Sequence, residues 1–247
     1  MQRATRIFGT HWFHRRFTLA PDGRYTTVTE LAEWARGPYD QLRKNLLLNA
    51  DGGQVPRVIL LCPVRHGDGA TTTAILLAAS LASTHRALVV DLNFRRPGIG
   101  TALDLDGAPG LAAVVKNGGT TAIGPDLDRA AVPTRVPNMF ALPNAVDGSQ
   151  RVVPELSAIR AIVEQLRDRF DFVVVDAAPV LSYPDTPLFA PLADAVLMVM
   201  AADSTPVEAG LEARKELERG DVQVSGVVLT RQRRYIPDAI ERRLRTA

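Results

Sequence analysis

The chain has 247 residues, 46% of them hydrophobic and 23% charged, with 29 Lys and Arg against 27 Asp and Glu for a formal net charge of +2. That length and apolar content suit one large folded domain and exclude a globally disordered chain, and so small a net charge demands neither nucleic acid nor an anionic surface as partner. The single cysteine, Cys62, excludes an intramolecular disulfide and fits a reducing compartment; no apolar run reaches the roughly 18 residues of a membrane-spanning helix.

Residues 1–24 place Arg3, Arg6, Arg15, Arg16 and Arg24 among Phe8, Trp12, Phe13 and Phe17 without a clean period. They read as a flexible basic and aromatic arm, either a plain tail or a peripheral contact with a partner or an anionic membrane. They lack the apolar core of a secretory signal. Residues 25–247 read as a single domain. Thr27 to Trp34 is expected as a short capped helix, and Pro38 opens a second over Tyr39 to Asn49, closed by Asp51-Gly52-Gly53. Apolar runs then alternate with helical segments. The runs are Val58–Leu61, Ala87–Val90, Asn138–Leu142, Phe172–Val175, Ala195–Met200 and Val224–Leu229. The helical segments are Thr72–Ser83, Pro154–Arg169 and Val207–Glu218; residues 104–137, rich in Gly, Pro and Asp, hold one short helix near Leu111 to Lys116. Uniformly apolar strands are buried on both faces, and strands alternating with helices form a parallel sheet. The expected fold class is therefore α/β, a doubly wound and mainly parallel sheet.

The chemistry concentrates in Arg57 to Thr73, RVILLCPVRHGDGATTT. A buried strand runs into a glycine-containing loop and then into a helix that opens Ala70, Thr71, Thr72. Such a loop turns its backbone N–H groups on a phosphate, and the helix N-terminus adds a positive dipole. Gly67 and Gly69 permit the φ-positive backbone, Asp68 lies between them, and Thr71 is placed to put its hydroxyl on Mg²⁺. A working phosphate loop also carries a lysine after its last glycine, and here that position is Ala70. Charge-assisted bonds to an anion contribute about 1.5–3 kcal/mol each, so ATP or ADP with Mg²⁺ should bind at least roughly tenfold more weakly than with the lysine present. Phosphoryl transfer depends on positioning and electrostatics, so turnover suffers more. The bland alternative is an ordinary strand-to-helix turn.

Two further blocks join the loop. One is ALVVDLNFRRP, Ala87 to Pro97, with Asp91 at a strand end, Asn93 two residues on, and then Arg95, Arg96 and Pro97. The other is FDFVVVDAAPVL, Phe170 to Leu181, with Asp176 at a strand end. On these three blocks the chain resembles, over about residues 37–230, the deviant P-loop ATPases of the MinD/ParA class. Within them it resembles the CpsD/CapB-type bacterial tyrosine autokinases of exopolysaccharide and capsule synthesis. The resemblance implies a P-loop NTPase three-layer sandwich, with Thr71, Asp91 and Asp176 holding Mg²⁺ when nucleotide binds and Asp91 and Asp176 as the catalytic acids if the chain is active. Gly67, Asp68, Gly69, Ala70, Thr71 and Thr72 would form the nucleotide cradle. It further implies a cytoplasmic location at the inner face of the inner membrane and an inner-membrane polysaccharide co-polymerase of the chain-length determinant type as partner. It leaves a homodimer open and gives no reason to expect nucleic acid.

The departures from that pattern set the expected activity. Ala70 replaces the lysine, Asn93 replaces a second acid, and Ala177-Ala178 replaces Thr-Pro. The family's tyrosine cluster is missing at the end of the chain, which reads RRLRTA, and the Glu-x-x-Arg-x-x-Arg interface pattern keeps only Arg43. Arg65 stands near the extra signature lysine of MinD-type relatives, and Thr230 where relatives often have asparagine near the adenine. The expectation is a non-catalytic or weakly nucleotide-binding regulator that works by contact. The alternatives are an active ATPase or protein tyrosine kinase, and a ParA-like positioning protein using the arginines Arg231, Arg233, Arg234, Arg242, Arg243 and Arg245. Those arginines read as a contact for an anionic lipid, a nucleotide or an acidic partner, or else as a solvated helix packed on the sheet edge by Ile236, Ile240 and Leu244.

Overall fold

The computed structural model describes residues 36–48, 54–105, 107–111, 114–115, 123–144 and 153–232. The basic arm, the helix expected at 27–34, the turn at 51–53 and the arginines beyond Arg231 lie outside the described residues.

The six apolar runs, with one further short strand, β3, make a seven-stranded sheet: β1 (Val58–Pro63), β2 (Ala87–Asp91), β3 (Val132–Pro133), β4 (Met139–Leu142), β5 (Phe172–Asp176), β6 (Ala195–Ala201) and β7 (Gly226–Thr230). Their spatial order is β3-β4-β2-β5-β1-β6-β7. Every pair is parallel except β3 with β4, which is antiparallel at the sheet edge. The expected doubly wound, mainly parallel α/β fold is what the chain adopts.

The strands are apolar throughout because both faces are covered, and alternate residues feed different cores. On one face Leu60, Cys62, Val90, Val173, Val175 and Met198 pack against α5 (Leu156–Arg169) and α7 (Val207–Arg219). On the other, Ile59, Leu61, Val89, Val174, Leu197 and Val199 pack against α2 (Ala70–Ala82) and, beyond it, α1 (Arg36–Leu48). Helix α2 is sandwiched between the sheet and α1, so its residues are buried nearly all round, and alanines at 74, 78, 79 and 82 keep that layer thin. Tyr39, Leu42 and Leu46 form the buried stripe of α1. Each large apolar side chain buried this way contributes about 1.5–3 kcal/mol.

Four elements were not anticipated. Helix α3 (Ile99–Ala102) follows the Arg-Arg-Pro block, α4 (Ile123–Ala130) and β3 lie in the tract expected to be largely loop, and α6 (Asp185–Phe189) follows β5. The proline in β3 is accommodated because the strand is at the edge, where a missing N–H costs no ladder bond. Arg43 on α1 donates to the carbonyl of Ser80 (3.1 Å) and the hydroxyl of Ser83 (2.6 Å), so it closes the C-terminal end of α2. No helix among the described residues is long and apolar enough to cross a membrane.

Candidate functional site

Strands β1, β2 and β5 are neighbours and run parallel, so the residues following them gather at one end of the sheet. This is the crevice at the carboxyl ends of the strands, where open α/β sheets bind ligands. The three sequence blocks meet there.

The loop between β1 and α2 has φ of +87° at Gly67 and +88° at Gly69, both in the left-handed region that glycine alone adopts freely. Gly69 is the N-cap of α2 and supplies no side-chain cap, so the helix start is left for another acceptor. Asp68 faces inward and is 2% exposed. One carboxylate oxygen accepts the N–H of Arg65 (2.7 Å); the other accepts the N–H of Ala201 (3.3 Å) and the hydroxyl of Thr205. The Thr230 hydroxyl donates to the Asp68 carbonyl at 2.6 Å. The loop acid is thus consumed in tying the loop to the ends of β6 and β7, and the cradle keeps its shape through bonds internal to the protein. Ala70 is buried in the core on the α2 face and brings no charge to the loop. The Thr72 side chain is half-buried on the first turn of α2.

Asp91 and Asp176 are register partners on adjacent strands and both are fully buried. The Thr71 hydroxyl donates to Asp176 Oδ2 at 2.6 Å, whereas Asp176 Oδ1 is buried with no hydrogen-bond partner. Both oxygens of Asp91 are engaged: Oδ1 accepts the N–H of Asn93 (3.0 Å), and Oδ2 accepts those of Gly98 (2.9 Å) and Ile99 (3.1 Å). Asp91 therefore also braces the turn that follows β2. Burial pushes its carboxyl up to about 6, even though the N–H bonds of Ile99, Gly98 and Asn93 pull it down. Burial raises Asp176 well above the carboxylate range, the neighbouring Asp91 charge raises it further, and the Thr71 hydroxyl offsets only part.

These groups fit a Mg²⁺ ion. The free Oδ1 of Asp176 and the Thr71 hydroxyl are hard oxygen donors, and Mg²⁺ typically takes one or two carboxylates and completes its shell with water and phosphate oxygens. Among the described residues no cluster of three or more acidic, His or Cys side chains offers an all-protein cage.

The Arg-Arg-Pro block surrounds the pair. Asn93 Oδ1 accepts the N–H of Arg96 at 3.0 Å, so the asparagine at the second-acid position braces a turn. Arg95 donates to both oxygens of Asp185 (3.0 and 3.4 Å) and lies over the Tyr183 ring at 5.2 Å. His66 meets the same ring edge-on at 5.7 Å. The contacts of Tyr183 and His66 had no signal in the sequence, because they join loops distant along the chain. Asp194 lies at the opposite end of the sheet. It sits where the strands begin, accepting the N–H groups of Arg57 (2.9 Å) and Val58 (2.8 Å). Cys62 is buried in β1 and its thiol is pushed by that burial up to about 12, as expected of an inert thiol.

No protein-family model matches the chain. Among curated proteins it is 25% identical over 205 residues to the tyrosine-protein kinase CpsD of Streptococcus pneumoniae, covering 82% of this chain and 86% of that one. It is 26% identical over 195 residues to the succinoglycan biosynthesis transport protein ExoP of Rhizobium meliloti, covering 78% of this chain and only 24% of that much longer protein. Among solved structures, the VpsO kinase domain superposes with a TM-score of 0.67 at 25% identity, over 83% of this chain and 98% of that one. MinD of Pyrococcus horikoshii, complexed with Mg-ADP, shares the fold with a TM-score of 0.59 at 20% identity, over 76% of each chain. The relatives thus include a tyrosine-protein kinase, a succinoglycan biosynthesis transport protein and a kinase domain, and the fold is the P-loop NTPase fold shared with MinD.

Proposed function

We propose that this chain, which belongs to the CpsD/CapB-type branch of the MinD/ParA P-loop ATPases, is a non-catalytic or weakly nucleotide-binding regulator of exopolysaccharide or capsule synthesis and export. One observation carries the reading: a preformed phosphate loop and a buried acid pair stand complete around a position where alanine replaces the lysine. Mg-ATP or Mg-ADP would be held by the loop N–H groups, the Thr71 hydroxyl and Asp176, and would work as a shape-setting ligand. The partner is an inner-membrane polysaccharide co-polymerase, contacted from the cytoplasmic face.

The competing enzyme reading has its own support, since Asp176 Oδ1 is unpartnered and the relatives are kinases. The ParA-like positioning reading rests on a 30% match over 122 residues to the septum site-determining protein MinD of a Synechocystis strain, which covers 49% of this chain and 44% of MinD. Calorimetric titration with ATP, with and without Mg²⁺, separates the first two. Weak binding by the native chain, tightened about tenfold or more by Ala70→Lys, supports the regulator. Ala70→Met controls for added bulk at a buried site. Tight Mg²⁺-dependent binding by the native chain, unimproved by the lysine, contradicts it.

A further inference from the structure

The loop lacks its own cation, yet a cation stands over it from another element. Strand β7 ends at Thr230, which is fixed from two sides: its hydroxyl donates to the Asp68 carbonyl, and its carbonyl accepts the N–H of Ala202 at 2.9 Å. The next residue, Arg231, takes a left-handed φ of +51°. That turn separates Arg231 from the line of the strand and carries its side chain back across the sheet end. Its Nη2 lies 4.0 Å from the point where a Cβ on Gly67 would stand. The side chain is exposed, and no carboxylate pairs with it among the described residues.

The other arginines near the site are placed differently. Arg95 is held by Asp185. Arg65 precedes Gly67 in the loop, with its backbone N–H committed to Asp68. The Arg65 and Arg96 side chains are likewise exposed and without an acid partner among the described residues, so what sets Arg231 apart is position: among the described residues it is the guanidinium that comes within 4.0 Å of where a Cβ on Gly67 would stand. A second observation points to a ligand at this end of the sheet: Asp176 Oδ1 is fully buried and unpartnered, while its other oxygen accepts from Thr71 on the first turn of α2.

We propose that Arg231 is the phosphate-contacting cation of this site, binding the polyphosphate of a nucleoside di- or triphosphate across the loop from β7. This deepens the function proposed above and rests on its reading of the loop as an anion site. The guanidinium presents a planar fork of N–H donors that matches two phosphate oxygens at once. A lysine after Gly69 would rise from the helix beneath the phosphates. Arg231 reaches them from the rim, a placement suited to holding an anion and not to following charge as it develops on a leaving oxygen. The run of C-terminal arginines is thereby divided, with Arg231 assigned to the loop.

The test uses the full chain, titrated with Mg-ATP and separately with inorganic tripolyphosphate, comparing the native protein with Arg231→Ala, Arg231→Lys and Arg65→Ala. Thermal melts report folding, which the exposed position of Arg231 should leave unchanged. Arg231→Ala should weaken both ligands about tenfold, Arg231→Lys should recover part of the loss, and Arg65→Ala should weaken neither comparably. Unchanged affinity in Arg231→Ala overturns the assignment while leaving a weak-binding regulator intact. Loss of ATP binding with tripolyphosphate unaffected overturns it in favour of a contact with the base. Binding of neither ligand by the native chain also overturns it. Steady ATP hydrolysis by the native chain would defeat the regulator reading instead, and a tenfold loss in Arg231→Ala would still support the arginine.

Discussion

The two ends of the sheet hold the same kinds of side chain and treat them in opposite ways. Where the strands begin, Asp194 accepts two backbone N–H bonds and a two-pronged contact from Arg167 at 2.7 and 2.8 Å, and Asp171 accepts the N–H of Arg86 at 2.8 Å. Where the strands finish, Asp91 and Asp176 are buried side by side with no cation against either among the described residues. Burial alone would raise Asp194, but Arg167 and the two N–H groups hold it below the usual carboxylate range. The acid pair is driven the other way. A carboxylate surrounded by its own donors belongs to the architecture. A carboxylate buried beside another, with one oxygen unanswered, marks a place where a ligand completes the structure.

That contrast yields measurable differences between the ends. Asp194→Ala removes the acceptor of two backbone N–H groups and strands Arg167, so urea unfolding should show a loss of about 2–3 kcal/mol, allowing for partial exposure of the pair. Asp176→Asn replaces a buried carboxyl whose ionised form burial and the neighbouring Asp91 disfavour, so at pH 8 it should leave stability unchanged or raise it by about 1–2 kcal/mol, while abolishing any Mg²⁺ effect on nucleotide binding. If Asp176→Asn destabilises as Asp194→Ala does, the two ends are alike and the distinction fails.

The same contrast has a sign in pH. Asp194 has a lowered folded value, so its contribution is present above the ordinary carboxylate pKa and is lost as pH falls through the folded value. Asp91 has a raised one, from 3.8 to about 6, so the folded state holds its proton more tightly and its contribution fades as pH rises through 6. Native melting temperatures should therefore decline between about pH 4 and pH 6, and Asp176→Asn, which removes the second carboxyl whose folded value is raised, should flatten any decline that continues above that window.

Smaller effects refine the picture. A Cβ on Gly98 would lie 3.2 Å from Thr71 Cγ2, so Gly98→Ala should press on the threonine that holds Asp176 and cost about 1 kcal/mol. Arg214→Ala, which breaks an exposed ion pair with Glu218 on α7, should change stability by no more than about 0.5 kcal/mol.

The parts of the molecule readable in advance were those set by local pattern. Uniformly apolar runs such as Val58–Leu61 and Phe172–Val175 announce strands covered on both faces, and the Gly67-Asp68-Gly69 turn before the threonines announces the phosphate loop. Helix α4 and β3 escaped because Gly, Pro and Asp in that tract mask the short apolar spacing, and tertiary contact with β4 decides the matter. Asp68 reads as part of a ligand cradle, yet its role as anchor depends on Ala201, Thr205 and Thr230, which lie over 130 residues along the chain. The orphaned oxygen of Asp176 and the return of Arg231 are likewise invisible to pattern, because each depends on what surrounds an atom and not on its neighbours in sequence.

Steady-state ATP hydrolysis by the native chain with Mg²⁺ bears most heavily on the role of Ala70, measured beside Ala70→Lys. With no ammonium group aimed at the phosphates, the native protein should show no turnover above the protein-free rate while still binding the nucleotide weakly. Native turnover equal to that of the lysine variant would contradict a protein that acts by contact alone.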